Sequence, residues 1–289
     1  MKFEPIESFD QYRELTGSAR RKFLSGFSNC YLMSNEARSL IDSGALLYAS
    51  SPRGLLLGRA YPQHMQLMFY LADTADKNDV PESDLPLVIE LPFATQSLED
   101  ALPSQIRGAQ DLLRNCGFVP ARISHRRTYE ADTLKDVTRG DDEAAQRVIE
   151  LGDKYSSAML DQLNNTFDYR FDYIPSKEEW QEALDQGHVL AHIDEAGKPD
   201  GVLFFDIQKN QSELRLITVL PQARRQGVAS ALIAAWRKRC VDTVSRLFLW
   251  VSDDNAGAQR LYGNEGFHFD GHRAIELVEL TADNFEKES

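Results

Sequence analysis

Three groups of residues could do chemistry, and all lie in the second half of the chain. The first is Val219-Leu220-Pro221-Gln222-Ala223-Arg224-Arg225-Gln226-Gly227-Val228-Ala229-Ser230-Ala231-Leu232. A strand runs out at Val219, Pro221 stops it, and a basic turn leads straight into an amphipathic helix. Leu232, Ile233 and Trp236 share one face of that helix, with Arg237, Lys238 and Arg239 largely elsewhere. Unpaired N–H groups at a helix start, the helix dipole and two arginines make an anion site. Small residues at Gly227 and Ala229 let a phosphate approach the backbone. The Lys-Ser/Thr ending of a P-loop and the full dinucleotide fingerprint are missing. A plain strand-to-helix turn with solvated arginines has the same local pattern. The second group is Asn255 and Tyr262, which helical spacing sets about 20° apart on one face. Asn255 suits a helix N-cap, and Tyr262 suits either core packing or proton donation. The third is Glu213, six residues before Val219 and of matching strand parity. It reads equally as a base or as an ordinary strand-start carboxylate. His188 and His192 fall near a strand edge and receive no role.

Arg224-Arg225-Gln226-Gly227-Val228-Ala229 resembles motif A of the GCN5-related N-acetyltransferase (GNAT) family, Gln/Arg-x-x-Gly-x-Gly/Ala. Asn255-Ala256-Gly257-Ala258-Gln259-Arg260-Leu261-Tyr262-Gly263-Asn264-Glu265-Gly266-Phe267 matches every specified position of the family's second signature, Asn-x-x-Ala-x-x-Leu-Tyr-x-x-x-Gly-Phe. The resemblance implies acetyl-CoA as co-substrate, no metal, and direct attack of an amine on the acyl thioester. It implies that Arg224 and the amides of Arg225, Gln226, Gly227, Val228, Ala229 and Ser230 hold the pyrophosphate. Ile217, Thr218 and Val219 would hydrogen-bond the pantetheine arm, and Asn255 would contact it. Tyr262 would protonate the leaving thiolate, a transfer nearly level in energy between groups of similar intrinsic pKa. Glu213 is the candidate base, because some family members carry a glutamate on this strand. The same motifs also suit a non-catalytic acyl-CoA-binding sensor or an interaction protein.

The chain also repeats itself. Residues 108–118 align with residues 257–267, and seven of the eleven positions are identical. About one match is expected by chance. Each copy reads as a helix ending at a glycine, preceded by an apolar strand (87–91 or 247–251) and followed by another strand. The sequence therefore predicts two tandem GNAT-like domains of α/β (α+β) class, residues 1–132 and 133–289. Each would be a mixed, mostly antiparallel sheet flanked by helices. The first copy carries Leu113 where Tyr262 stands and Ile106 where Asn255 stands, and an acidic turn, 72–79, where the basic turn stands. The short interval after Leu71 leaves no room for a full helix. The first domain is expected to bind no coenzyme A.

In the second half, helices are expected at about 141–152, 177–186, 228–240 and 257–264. Strands are expected at 188–193, 201–207, 213–219 and 247–251, with closing strands to Leu280. The stretch 155–173 reads as polar and aromatic. Its alternation Phe167-x-Tyr169-x-Phe171-x-Tyr173 suits a wall for a flat or cationic acceptor, or an interdomain strip.

Bulk properties narrow the class. With 32 basic and 45 acidic residues the net charge is −13, which argues against a nucleic-acid partner. No apolar run approaches membrane-spanning length and the N-terminus has no h-region, so no membrane association and a cytoplasmic location are expected. Cys30, Cys116 and Cys240 have no metal-binding or redox spacing. The expected partner is a small-molecule or peptide amine. Neither its identity nor an oligomeric state is readable from these motifs.

Overall fold

The computed structural model describes residues 1–130 and 147–280. The chain divides into two compact units, one built from Met1–Ser124 with the segment from Gly271 onward, the other from His125–Asp270. The expected boundary near residue 132 lies outside the described residues.

The first unit contains β1 (Glu4–Pro5), α1 (Phe9–Lys22), β2 (Phe27–Ser28), α2 (Ser34–Asp42), β3 (Leu46–Ser51), β4 (Gly54–Ala60) and β5 (Met65–Leu71). β6 (Leu87–Ala94), α3 (Ser104–Asn115) and the start of β7 (Phe118–Glu130) follow. Strand alternation sorts its core into two layers. Leu55, Leu57, Met68 and Tyr70 meet α1 and α2 through Tyr12, Ala19 and Ala37. Leu56, Leu67, Phe69, Ile89 and Leu91 meet α3 through Leu112 and Leu113. β13 (His268–Glu279) completes this sheet, because His272–Val278 pair antiparallel with Val88–Ala94 of β6. Residues 271–280, grouped by sequence with the C-terminal domain, thus belong to the first unit. The several closing strands expected there are this one long strand.

The second unit holds the remainder of β7, then β8 (Val148–Glu150), α4 (Asp153–Thr166), α5 (Lys177–Asp185), β9 (Val189–Ile193), β10 (Pro199–Gln208) and β11 (Gln211–Val219). α6 (Val228–Cys240), β12 (Arg246–Ser252) and α7 (Ala256–Asn264) complete it. The sheet order is β12-β11-β10-β9-β8. Leu160, Leu163 and Trp180 of α4 and α5 cover one face, against Val202, Phe204 and Leu216. Leu232, Ile233 and Trp236 of α6 cover the other, with Leu203, Phe205, Leu214, Leu249 and Tyr262.

Two elements differ from the sequence reading. Where a helix was expected over 141–152, residues 148–150 form β8, which pairs with β9; residues 141–146 lie outside the described residues. Most of the polar and aromatic stretch is α4, whose Met159, Leu160 and Leu163 are spaced to bury one helix face.

Candidate functional site

The site begins where two parallel strands part. β11 pairs with β12 only from Gln211 to Leu214, opposite Arg246 to Leu249, yet β11 runs on to Val219 and β12 to Ser252. The parting coincides with a β-bulge. Phe204 faces Leu216 and Phe205 faces Leu214, so Arg215 has no partner across β10. An extra residue of this kind bends its strand. Beyond the bulge, the Leu220 N–H donates to the Asp200 carbonyl (2.8 Å). Antiparallel alternation then turns the main-chain groups of Thr218 toward β10 and those of Ile217 and Val219 into the gap. Of the three strand residues expected to meet a ligand through their backbone, Ile217 and Val219 are oriented for it and Thr218 is not.

The turn after β11 gathers main-chain N–H groups. Pro221–Ala223 form a 3-10 turn, after which Arg225 (φ 61°) and Gly227 (φ 82°) both adopt the left-handed region. A left-handed residue directly before a helical one aims successive N–H groups into one concavity. Among the described residues, the N–H groups of Arg225 to Ser230 have no acceptor; Ala231 is the first to bond back, to the Gly227 carbonyl (2.9 Å). A Cβ built on Gly227 meets nothing within 4 Å, so that side of the turn is open. Arg224 Nε donates to the Val219 carbonyl (3.1 Å), tying the turn to the strand end.

α6 is held firmly beneath this turn. At Gly201 on β10, a Cβ would lie 2.7 Å from Val228 Cγ1, so glycine permits close approach of the helix. Trp236 is fully buried, and its indole N–H donates to Ser212 Oγ (2.9 Å). Arg237, read from sequence as lying off the apolar face, is buried too. It donates to the Glu265 carbonyl and carboxylate at the end of α7, with its guanidinium 4.8 Å from the Tyr129 ring centroid. A cation at a helix C-terminus is favourably placed.

Asn255 caps α7, its Oδ1 accepting from the Ala258 N–H (3.0 Å). Tyr262 is buried in the α6 cluster, and desolvation raises its pKa above the ordinary 10.0. The phenol therefore stays protonated across the physiological range. The transfer to a thiolate, level on intrinsic values, stays level only toward a thiolate equally removed from water.

Glu213 requires a correction of its geometry. The bulge inverts strand parity: Leu214 packs with the α6 cluster and Leu216 with α4 and α5, while Ile217 and Val219 return to the α6 side. Glu213 thus faces the opposite side of the sheet from Val219. There it accepts from Arg215 Nη1 (2.6 Å), and Arg215 also lies 3.7 Å from Asp206 and 4.5 Å above the Tyr173 ring. Burial raises the Asp206 pKa against the opposing pull of Arg215 and His188, while burial lowers that of His188. His192 is buried against Asp200 (2.6 Å). The aromatic alternation does not form one row: Phe167 and Tyr173 pack on the α4–α5 core, while Tyr169 is exposed.

Sequence reasoning missed three supports. Gln259 Nε2 clamps the loop before α7, donating to the Ser252 (3.1 Å) and Asp253 (2.8 Å) carbonyls. Buried His125 meets Asp253 through Nδ1 (2.7 Å) and accepts from Arg127 Nε at Nε2 (3.1 Å), which assigns the imidazole proton to Nδ1. Arg215 occupies the bulge. Gln259 stands inside the second motif, where its spacing was legible; the other two had no local signal.

The second unit is thus a mixed sheet covered by helices on both faces, whose parallel strands part in front of a turn of free N–H groups. Residues 150–269 match the acetyltransferase (GNAT) family model. The fold matches a GCN5-related N-acetyltransferase from Sphaerobacter thermophilus (TM-score 0.56, 12% identity, covering 96% of this chain and 94% of that one). It also matches a GNAT-family acetyltransferase from Colwellia psychrerythraea (TM-score 0.52, 12% identity, covering 97% and 100%). A tandem GNAT protein from the clavulanic acid biosynthesis pathway matches as well (TM-score 0.55, 12% identity, covering 96% and 97%). At these identities the shared property is the fold. No curated protein sequence matches the chain. Among the described residues there is no cluster of three or more metal-ligating side chains, and no helix is long and apolar enough to cross a membrane.

Proposed function

We propose that the chain transfers an acetyl (acyl) group from acetyl-CoA to an amine by direct attack. The observation that carries this reading is the gap beyond Leu214 and Leu249, which leads to the open N–H concavity of Arg225 to Ser230. The residues fit the ligand: the N–H groups lack partners, and the open side of Gly227 is space that a larger side chain would fill. Bound there, acetyl-CoA would supply an activated acyl thioester.

The chain's own groups divide the work. The amides of Arg225, Gln226, Gly227, Val228, Ala229 and Ser230, with Arg224 and Arg225, hold the pyrophosphate. Ile217 and Val219 extend main-chain groups along the pantetheine, and their N–H groups steady the charge that develops on the thioester oxygen. Asn255 keeps its amide nitrogen for the ligand while its oxygen caps α7. As the C–N bond forms and the C–S bond breaks, Tyr262 gives its proton to the departing sulfur. The amine proton leaves to water, because Glu213 faces away from Val219 and is paired with Arg215. The test is incubation with acetyl-CoA and a panel of amines, read by release of free thiol. Turnover with one class of amine supports the reading; acetyl-CoA binding with no turnover on any amine removes it.

A second reading, an acyl-CoA sensor without catalysis, is favoured by one observation. Glu213 is already paired with Arg215, so the only carboxylate singled out as a base is engaged.

A further inference from the structure

The first unit has its own version of the parting strands, and the chain itself fills it. β5 pairs with β6 only from Met65 to Leu67, opposite Leu87 to Ile89, while β5 continues to Leu71 and β6 to Ala94. β4 occupies the other edge of β5 along its whole length. Residues 26–29 enter the gap on the β6 side. Phe27 pairs with Leu71 and Ser28 with Tyr70, which makes β2 a short strand added where β6 has departed.

Asn29 sits at the fork, 8% exposed. Its Oδ1 accepts from the Phe69 N–H (2.7 Å), and its Nδ2 donates to the carbonyls of Leu67 (3.2 Å) and Glu90 (2.9 Å). One side-chain amide therefore satisfies β5 as donor and acceptor and reaches β6 as well. In the second unit, the corresponding gap leaves the N–H groups of Ile217 and Val219 without a partner among the described residues.

Close contacts fix the segment. A Cβ on Gly26 would collide with the Leu71 carbonyl oxygen, so only glycine lets the backbone pass. A Cβ on Gly108 of α3 would lie 2.9 Å from Phe27 Cζ, so the helix closes directly over the Phe27 ring. The turn that follows β5 has no long helix start. Residues 72–86 hold a 3-10 turn at Lys77–Asp79, whose Asp76 and Asp79 carboxylates are both taken by Arg53 (2.8 Å each).

We propose that residues 26–29 are a built-in occupant of the first unit's strand gap, with the Asn29 carboxamide standing where an extended, amide-bearing ligand would lie. The first unit is thereby closed to ligands of the kind assigned to the second. Naming that ligand as the pantetheine of acetyl-CoA rests on the proposed function; the filled gap does not.

Residue-resolved hydrogen exchange on the full chain tests this, with and without acetyl-CoA. Without ligand, the Phe69 N–H is expected to be strongly protected and the Ile217 and Val219 N–H groups to exchange fast. Acetyl-CoA protects Ile217 and Val219 and leaves Phe69 unchanged, with one equivalent bound. Asn29→Ala accelerates Phe69 exchange at least about tenfold, in line with loss of a buried hydrogen bond, and leaves Leu232 unchanged. If that variant does not fold, Asn29→Ser, which stays polar but lacks the carboxamide that accepts from the Phe69 N–H, replaces it with the same expected effect on Phe69. Phe69 exchanging as fast as Val219, gaining protection from acetyl-CoA, or a second equivalent bound would overturn the proposal. Absence of any acetyl-CoA effect would count against the proposed function alone, and the Phe69 protection would still decide the filled gap.

Discussion

Arg224 Nε donates to the carbonyl oxygen of Val219 at 3.1 Å, so the turn that leads into α6 is tied to the last residue of β11. That bond sets the strand end and the turn in one geometry. Arg224→Ala removes both the tie and a cation beside the N–H concavity. A hydrogen bond from a charged donor is worth about 1.5–3 kcal/mol, so acetyl-CoA affinity should fall by about tenfold or more. Calorimetric titration checks this, and an unchanged affinity would detach Arg224 from the site.

Gly201 tests how tightly α6 must sit. Gly201→Ala places a Cβ against Val228 Cγ1 at 2.7 Å and Leu232 Cδ1 at 3.2 Å. Overpacking of this type costs about 1–3 kcal/mol. Chemical denaturation should show that loss together with weaker acetyl-CoA binding. Loss of stability with intact binding would mean that α6 can shift without disturbing the turn.

Tyr262→Phe removes the hydroxyl and keeps the ring. A positioned acid contributes about 10²–10⁴-fold, so kcat should fall by about that range while acetyl-CoA binding holds. Full turnover in this variant would strip Tyr262 of its role, and retained binding in a wild type that never turns over would favour the sensor.

The pH profile carries a further test of the same residue. Burial raises the Tyr262 pKa above 10.0, so the acid form persists beyond that pH. The required proton is therefore present throughout the neutral and mildly alkaline range, and Tyr262 should add no alkaline limb to kcat below pH 10. An alkaline limb near pH 9 that disappears in Tyr262→Phe would contradict the burial argument.

Local chemistry made much of the second unit legible. Pro221, Gly227 and the run of small and apolar residues after it marked the bounds of α6, and Asn255 and Gly266 marked those of α7. The β-bulge was hard to read, because Leu214-Arg215-Leu216 alternates as a regular strand does and the adjacent apolar pair Leu216-Ile217 is its one local sign. The pairing across β10 reveals that parity inverts there, which carried Glu213 to the wrong face in a count by twos. The start of α4 lacks a side-chain cap at Gly152, so its first turn carried no start signal. β8 is too short for an alternation to register. The destination of β13 depends on Val88–Ala94, far upstream, and no local pattern encodes such a pairing. Asn29 carries no local signal for a similar reason: its three partners lie on two strands remote in sequence, and Gly26-Phe27-Ser28-Asn29 looks like a turn.

Titration of the purified chain with acetyl-CoA, beside the double variant Gly227→Glu with Val228→Pro, tests the central claim most directly. The account predicts one equivalent bound, with affinity on the order of micromolar to sub-millimolar, and loss of that binding in the variant. No binding by the wild type, or equal binding by the variant, would contradict it.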